Sequence, residues 1–115
     1  MLDLLLDAEP LSQVVFIHDY VQLIFQDLGL SVYNPISMRV EDNRILNRTD
    51  LGFHDKLVGL IGTRVKDQWE EDKLLFLELE SSARVVISLR PEDVSGPEAF
   101  MLTNNKGLLV VEQNA

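Results

Sequence analysis

The 115-residue chain contains no cysteine, few basic side chains and no long apolar run. Without cysteine it has no disulfide framework, no thiolate nucleophile and no cysteine-ligated zinc. Only 10 residues are Lys or Arg against 19 that are Asp or Glu, so the formal net charge is −9. A nucleic-acid-binding surface needs clustered Lys and Arg. We therefore expect no nucleic acid among the partners.

Membrane and secretion signals are absent from the sequence as well. No stretch approaches the ~18 uncharged apolar residues that a membrane-spanning helix requires. The opening segment, MLDLLLDAEP, has acidic residues where a secretory signal carries positive charge. These features predict a cytoplasmic protein with no membrane partner.

The composition that remains is that of a folded protein. Hydrophobic residues make up 46% of the chain, which is ordinary for a globular protein despite the high net charge. The length corresponds to one domain, residues 1–115.

The negative charge is unevenly distributed along the chain. Residues 1–38 contain five acids and no base, residues 39–68 contain six bases and five acids, and residues 69–115 contain nine acids and four bases. If the two acidic ends lie side by side in the fold, the charge forms a face; otherwise it serves solubility.

Alternating apolar and polar residues predict a mostly antiparallel sheet. The clearest pair is Leu75 to Leu79 and Val85 to Leu89, which we expect to form a hairpin preceded by a strand from about Thr63 to Trp69. Leu74 and Phe76 are apolar on the second face too, so this strand should be covered on both sides. Further strands are predicted at Val14–Ile17, Val21–Phe25, Leu30–Val32, Ala99–Thr103 and Leu108–Glu112.

Two short helices are predicted beside the strands. Asp50 can cap a helix over residues 51–61 that ends at Gly62. Leu2, Leu5 and Leu6 have helical spacing, which predicts a second short helix docked on the protein's own core. Residues 41–49 are polar and indicate a solvated connection.

A faint internal repeat organises these elements. Leu11 to Val15 resembles Ile61 to Val65, and each is followed by a strand, a turn, a second strand and a proline, Pro35 or Pro91. The repeat predicts two three-stranded meanders separated by the helix. The expected fold is α+β, mainly antiparallel sheet with one or two short helices, rolled or partly open as a barrel of about six to eight strands.

Three stretches resemble small uncharacterised bacterial proteins of unknown function. They are DYVQL at Asp19–Leu23, LGFHDKL at Leu51–Leu57 and SGPEAF at Ser95–Phe100. Proteins of this kind include immunity partners of toxins, so the resemblance implies an inhibitory binding role. It implies no catalytic residues.

The best interaction candidate is the segment Trp69, Glu70, Glu71 and Asp72, which we expect at a hairpin tip. As a functional feature it presents an aromatic anchor and three acids to a basic protein partner. As a structural feature it is a solvated turn with Trp69 covering an edge of the core.

A second set of polar residues offers an alternative site: His18, His54, Glu78 and Glu80. Glu78 and Glu80 fall on one face of the predicted strand, about 7 Å apart, which suits general acid and base chemistry or pairing with Arg84 and Arg90 of the next strand. The histidines lack metal-ligand spacing, so we expect no metal and no cofactor.

Three functional hypotheses follow from the sequence. The first is a non-enzymatic acidic binding module, immunity-like or regulatory, because no coherent catalytic set is present. The second is a small-molecule binder or small enzyme that uses the mouth of the rolled sheet. The third is a structural subunit, and self-pairing of an edge strand predicts a homodimer.

Overall fold

The computed structural model describes residues 1–94 and 96–114, and within them ten strands form two antiparallel sheets of five strands each. Sheet A has the neighbour order β1-β2-β3-β9-β10. Its strands are β1 (Gln13–Ile17), β2 (Tyr20–Phe25), β3 (Leu28–Val32), β9 (Glu98–Asn104) and β10 (Gly107–Gln113).

Sheet B has the neighbour order β5-β4-β8-β7-β6. Its strands are β4 (Ile36–Arg39), β5 (Ile45–Asn47), β6 (Val65–Glu71), β7 (Leu74–Leu79) and β8 (Arg84–Ser88). The predicted mainly antiparallel α+β architecture is confirmed, and the two sheets are not closed into a barrel.

The two predicted meanders are present, one in each sheet. The first is β1-β2-β3 and the second is β6-β7-β8. After each meander the chain crosses to the other sheet, so that β4 pairs with β8 and β9 pairs with β3. The starts of the two meanders also meet, because the Leu11 N–H donates to the Thr63 carbonyl (2.9 Å) and the Gly62 N–H donates to the Leu11 carbonyl (2.8 Å). Each half of the sequence therefore completes the sheet that the other half begins.

The hydrophobic core lies between the inward faces of the two sheets. In β2 the inward residues Val21, Leu23 and Phe25 alternate with half-buried outward residues, as the pattern of the sequence predicts. Phe100 of β9 and Leu77 of β7 join them in one buried cluster.

The described residues include one short α-helix, α1 (Phe53–Val58), where the sequence predicts a longer one. Gly52 has φ +93°, a left-handed conformation that cannot continue a helix, so α1 begins after it. The prediction that Asp50 caps this helix is wrong, since its carboxylate accepts the Asn47 N–H (2.7 Å).

The predicted N-terminal helix is a 3-10 helix, Asp3–Asp7. Leu2 and Leu5 are fully buried in the protein's own core, as expected, whereas Leu6 is 41% exposed. The tighter 3-10 turn brings residues three apart onto one side, which separates Leu6 from the other two. Two further 3-10 turns lie at Glu41–Asn43 and Pro91–Asp93.

The prediction of a solvated connection at residues 41–49 is wrong in part, because β5 lies there and its Leu46 is buried. Its three residues pair with β4, and Ile45 points outward with 51% of its surface exposed. A strand this short and this exposed has no recognisable alternation.

Two asparagine side chains, the buried Asn34 and the half-buried Asn114, link the ends of the two sheets by hydrogen bonds. Asn34, 2% exposed, donates from Nδ2 to the Ser88 carbonyl (2.8 Å) and to Asn114 Oδ1 (2.9 Å). The Asn114 Nδ2 returns a bond to Asn34 Oδ1 (3.0 Å) and a second to the Gly96 carbonyl (2.8 Å). The pair thus joins three distant segments of the chain.

We expect Asn34→Ala to lower the free energy of unfolding by about 1–3 kcal/mol, because buried partners lose their hydrogen bonds. Urea denaturation measures the change. Asn105→Ala, in the exposed β9–β10 turn, is the matched control and should stay within about 0.5 kcal/mol of the unsubstituted protein. Equal losses in the two variants would contradict the structural role of the pair.

In the described part of the chain, no helix combines the length and apolar character needed to cross a membrane.

Candidate functional site

The outer side of sheet B carries an aromatic surface around Trp69. The strand register aligns Trp69, Phe76, Val86 and Ser37 in one row across β6, β7, β8 and β4. Phe76 and Val86 are only 4% and 3% exposed, although they lie outside the main core cluster. The prediction that β7 is covered on both sides is therefore confirmed.

Side chains of the neighbouring strands provide the cover. The Trp69 ring stacks on Phe76 with 5.2 Å between centroids and 7° between planes. The Arg39 guanidinium lies 5.0 Å above the Phe76 ring, and Arg84 lies 5.2 Å above the Trp69 ring. Such cation–π contacts contribute about 0.5–1 kcal/mol each at partly exposed sites. We call Trp69, Phe76, Arg39 and Arg84 the Trp69 face.

Glu78 holds the arginine in place. Its carboxylate accepts the Arg84 Nε–H (3.1 Å) and lies 3.8 Å from Lys66 Nζ, and its side chain is 16% exposed. The predicted pairing of Glu78 with Arg84 is confirmed. Glu78 therefore positions the guanidinium that lies over the Trp69 ring.

The three acids beside Trp69 sit at the hairpin tip, as predicted. Glu70 and Glu71 end β6, and Asp72 with Lys73 forms the two-residue turn at φ +52° and +58°. Strand alternation places Glu71 on the Trp69 side of the sheet and Glu70 on the opposite side. We call Glu70, Glu71 and Asp72 the acidic hairpin. In the part of the chain that the structure describes, none of the three forms an ion pair.

The N-terminal 3-10 helix adds one acid, Asp3, to this edge. The Leu2 N–H donates to Gln68 Oε1 (3.2 Å), and Gln68 Nε2 donates to Asp3 Oδ1 (2.7 Å). The Asp67 Oδ1 accepts a hydrogen bond from the Gln68 N–H (2.8 Å) beside a bulge in β6. Asp3, from the acidic first segment of the sequence, therefore lies beside β6, although most other acids are spread over turns and short helices.

The four residues of the alternative polar site contact different groups. His18 lies in the β1–β2 turn, and His54 of α1 packs on Phe16 with 4.3 Å between ring centroids. Glu78 binds the two cations described above, while the Glu80 carboxylate accepts the Arg64 N–H (2.8 Å). The predicted pairing of Glu80 with an arginine side chain of the next strand is therefore not what the structure shows.

A cleft of about 530 Å³ opens beside His18, between the β1–β2 turn and β5. Its lining includes Tyr20, Tyr33, the buried Asn34 and Arg48, but not His54, Glu78 or Glu80. The Arg48 Nη2–H donates to the Ile17 carbonyl, which fixes this side chain across the cleft. Of the alternative residues, the cleft holds His18 alone.

Within the described residues, no group of three or more His, Asp or Glu side chains is arranged to hold a metal ion.

Arg39 is a member of the candidate site that the sequence did not predict. It reaches Phe76 because β4 pairs with β8, a contact between residues about fifty positions apart that leaves no local pattern. The burial of Phe76 could be predicted, because apolar residues occupy both faces of β7 in the sequence.

No family model, curated protein or solved structure matches the chain. The resemblance of three short stretches to small bacterial proteins therefore stays a hypothesis. Ser95, the first residue of the third stretch, lies outside the described residues.

Proposed function

We propose that the protein is a cytoplasmic, non-enzymatic protein-binding module that recognises a basic protein through the Trp69 face and the acidic hairpin. An immunity-type or regulatory role, in which the module occupies and blocks the partner's surface, is consistent with this mode of binding.

One observation carries the proposal: a stacked aromatic side chain adjoins carboxylates that form no ion pair with the residues that the structure describes. Trp69 is held between Phe76 and Arg84, so little side-chain entropy remains to be lost when a partner covers it. Tryptophan is among the residues that most often dominate binding energy. Two of the cations near it, Lys66 and Arg84, are paired with Glu78, whereas Glu70, Glu71 and Asp72 are open to a partner's Lys or Arg.

The arrangement of the polar residues supports a binding role over catalysis. His54, Glu78 and Glu80 each contact a different group, and His18 lines a cleft that holds none of them. An acid–base pair needs two such side chains on one reacting atom.

Photo-crosslinking in the native host tests the proposal. A photoreactive amino acid at position 71, on the Trp69 side of β6, should capture a protein rich in Lys and Arg. The same probe at the exposed position 27, in the β2–β3 turn of sheet A, should not capture it. Capture of the same proteins at both positions, or of none at position 71, would refute the proposed surface.

Charge removal gives a quantitative prediction for the captured partner. The variant Glu70→Gln/Glu71→Gln/Asp72→Asn should bind about tenfold more weakly at low salt, or about 1.4 kcal/mol, since rim charges contribute modestly and mainly through association rate. Titration calorimetry across salt concentrations measures the effect, which should shrink as salt screens the charges.

The matched control removes three exposed acids elsewhere: Asp19→Asn/Asp27→Asn/Glu92→Gln. It changes the net charge equally, so an equal loss of affinity would show that overall charge, and not the acidic hairpin, attracts the partner.

The cleft beside His18 supports a second candidate function, a small-molecule binder. Its volume lies in the range of about 300–1,000 Å³ that is usual for ligand sites, and two tyrosines and an arginine border it. Screening a fragment library by NMR should then give hits whose shifts cluster at Tyr20 and Tyr33 and disappear in Tyr33→Ala. Hits scattered over the surface would remove this candidate.

A further inference from the structure

Among the strand positions that the structure describes, the outer side of sheet A carries one charged residue, Glu98, which the register pairs with Gln113 at one end of β9. A quarter of the chain is Asp, Glu, Lys or Arg, so a five-stranded surface with a single charge at its end is a marked exception. Strand alternation separates this outward set from the buried inward set, as in β2, where Tyr20, Gln22 and Ile24 point outward. We call this surface, without the Glu98 end of β9, the neutral face.

The central row of the neutral face is defined by the strand register. Val15, Gln22, Ser31, Met101 and Val111 lie side by side across β1, β2, β3, β9 and β10. All five side chains are half-buried within the single chain. The cores of protein interfaces have few charged residues and are enriched in Tyr and Met. The neutral face has this composition, whereas an ordinary solvated sheet face is rich in polar and charged residues.

Polar groups on this face are neutral and already ordered. Gln22 Nε2 donates to Ser31 Oγ (3.1 Å), and the Tyr33 hydroxyl lies 3.5 Å from Met101 Sδ. The Tyr20 and Tyr33 rings pack with 5.1 Å between centroids. Amide and hydroxyl groups both donate and accept hydrogen bonds, so such a surface can pair with an identical one.

We propose that the neutral face is a self-association surface that binds a second copy of this chain. A two-fold dimer places the same patch of both copies in contact, so any charge in the patch lies near the same charge on the other copy. Two molecules of charge −9 repel each other, and contact through a face without charge avoids burying like charges. The neutral face meets this condition, whereas the outer side of sheet B, with Arg39, Arg84 and Glu78, does not.

The size of the face sets the strength of the dimer. Five strands about 4.8 Å apart and five residues about 3.3 Å apart give a patch of roughly 24 by 17 Å. The area of this patch is smaller than the ~800 Å² per partner of a standard interface, even when the extra surface of the protruding side chains is included. The dimer is therefore weak and forms at high protein concentration. It leaves the Trp69 face of each copy free on the opposite side of the molecule.

Pairing of two β10 edges is the competing arrangement. The ladder of β10 is interrupted by register shifts between Leu108 and Val110 and between Glu112 and Gln113. Bulges of this kind disturb the regular row of hydrogen bonds that edge pairing needs. The neutral face has no such interruption in its central row.

Analytical ultracentrifugation of matched serine variants tests the proposal. Ser31 and Ser37 are both half-buried and outward on interior strands, Ser31 in sheet A and Ser37 in sheet B. From about 10 μM to about 1 mM, the range of weak complexes, the unsubstituted protein and Ser37→Glu should dimerise alike. Ser31→Glu should weaken dimerisation at least tenfold. A strictly monomeric protein at the highest concentration, or a dimer that persists in Ser31→Glu, would overturn the proposal.

A spin label provides a test that does not depend on a charged variant. The chain has no cysteine, so Ser31→Cys carries a single label. Mixed with isotope-labelled protein that lacks the spin label, it should broaden the signals of Gln22, Met101 and Val111 and leave those of Phe76 sharp. Broadening confined to the Leu108–Leu109 edge, or at Phe76, would contradict self-association through the neutral face.

Discussion

Replacing Phe100 with alanine is expected to lower the free energy of unfolding by about 3–5 kcal/mol. Phe100 is fully buried in β9, where it pairs across the sheet with Val32 of β3. Because β9 belongs to the second half of the chain and β3 to the first, this side chain fills the core at the place where one half completes the sheet of the other. The loss should approach the whole stability of a domain this small.

Urea denaturation at low protein concentration measures the effect, and Thr103→Ala is its control. Thr103 lies on the same strand but points outward and is half-buried. Its replacement should cost less than about 1 kcal/mol. If the two variants lost similar stability, the inward and outward assignment of β9 would be incorrect, and with it the packing of the two sheets.

Trp69→Ala is expected to weaken binding of the basic partner by at least about 2 kcal/mol, or about thirtyfold in Kd. The substitution removes the anchor and uncovers Phe76, whose ring is buried chiefly by this stack and by Arg39. Titration calorimetry with the partner captured at position 71 measures the loss, after circular dichroism has verified the fold.

Two variants separate the role of Trp69 from general apolar exposure. Trp69→Phe preserves an aromatic ring on Phe76 and should recover part of the affinity. Leu51→Ala alters an apolar side chain that is 99% exposed away from the Trp69 face and should leave Kd unchanged. An unchanged affinity in Trp69→Ala would exclude the Trp69 face as the binding surface.

The elements that could be predicted from the sequence are those with strong local alternation. The β7–β8 hairpin and the two meanders follow from alternating Leu and Val with turn residues between them. What the sequence could not show is the exchange of strands between sheets. β4 has only four residues, and β5 only three, too few for a period to be recognised. The pairing of β4 with β8 and of β5 with β4 is decided by tertiary packing.

The same distinction applies to the candidate site. Trp69 and the three acids are adjacent in sequence, so their joint position at a hairpin tip could be predicted. The cation–π cover by Arg39 could not, because β4 reaches β7 only through β8. The absence of charge from the neutral face also becomes visible only when five distant strands are aligned, since each strand alone shows ordinary alternation.

Trp69 is the only tryptophan of the chain, and this makes one measurement decisive for the proposed binding surface. Protein labelled with 5-fluorotryptophan gives a single ¹⁹F NMR signal, which reports the environment of Trp69 directly. On titration with the partner captured at position 71, that signal should shift and lose its sensitivity to solvent as the indole becomes buried in the interface. A signal that remains unchanged while the partner is fully bound would show that binding occurs elsewhere, and would contradict the assignment of the Trp69 face.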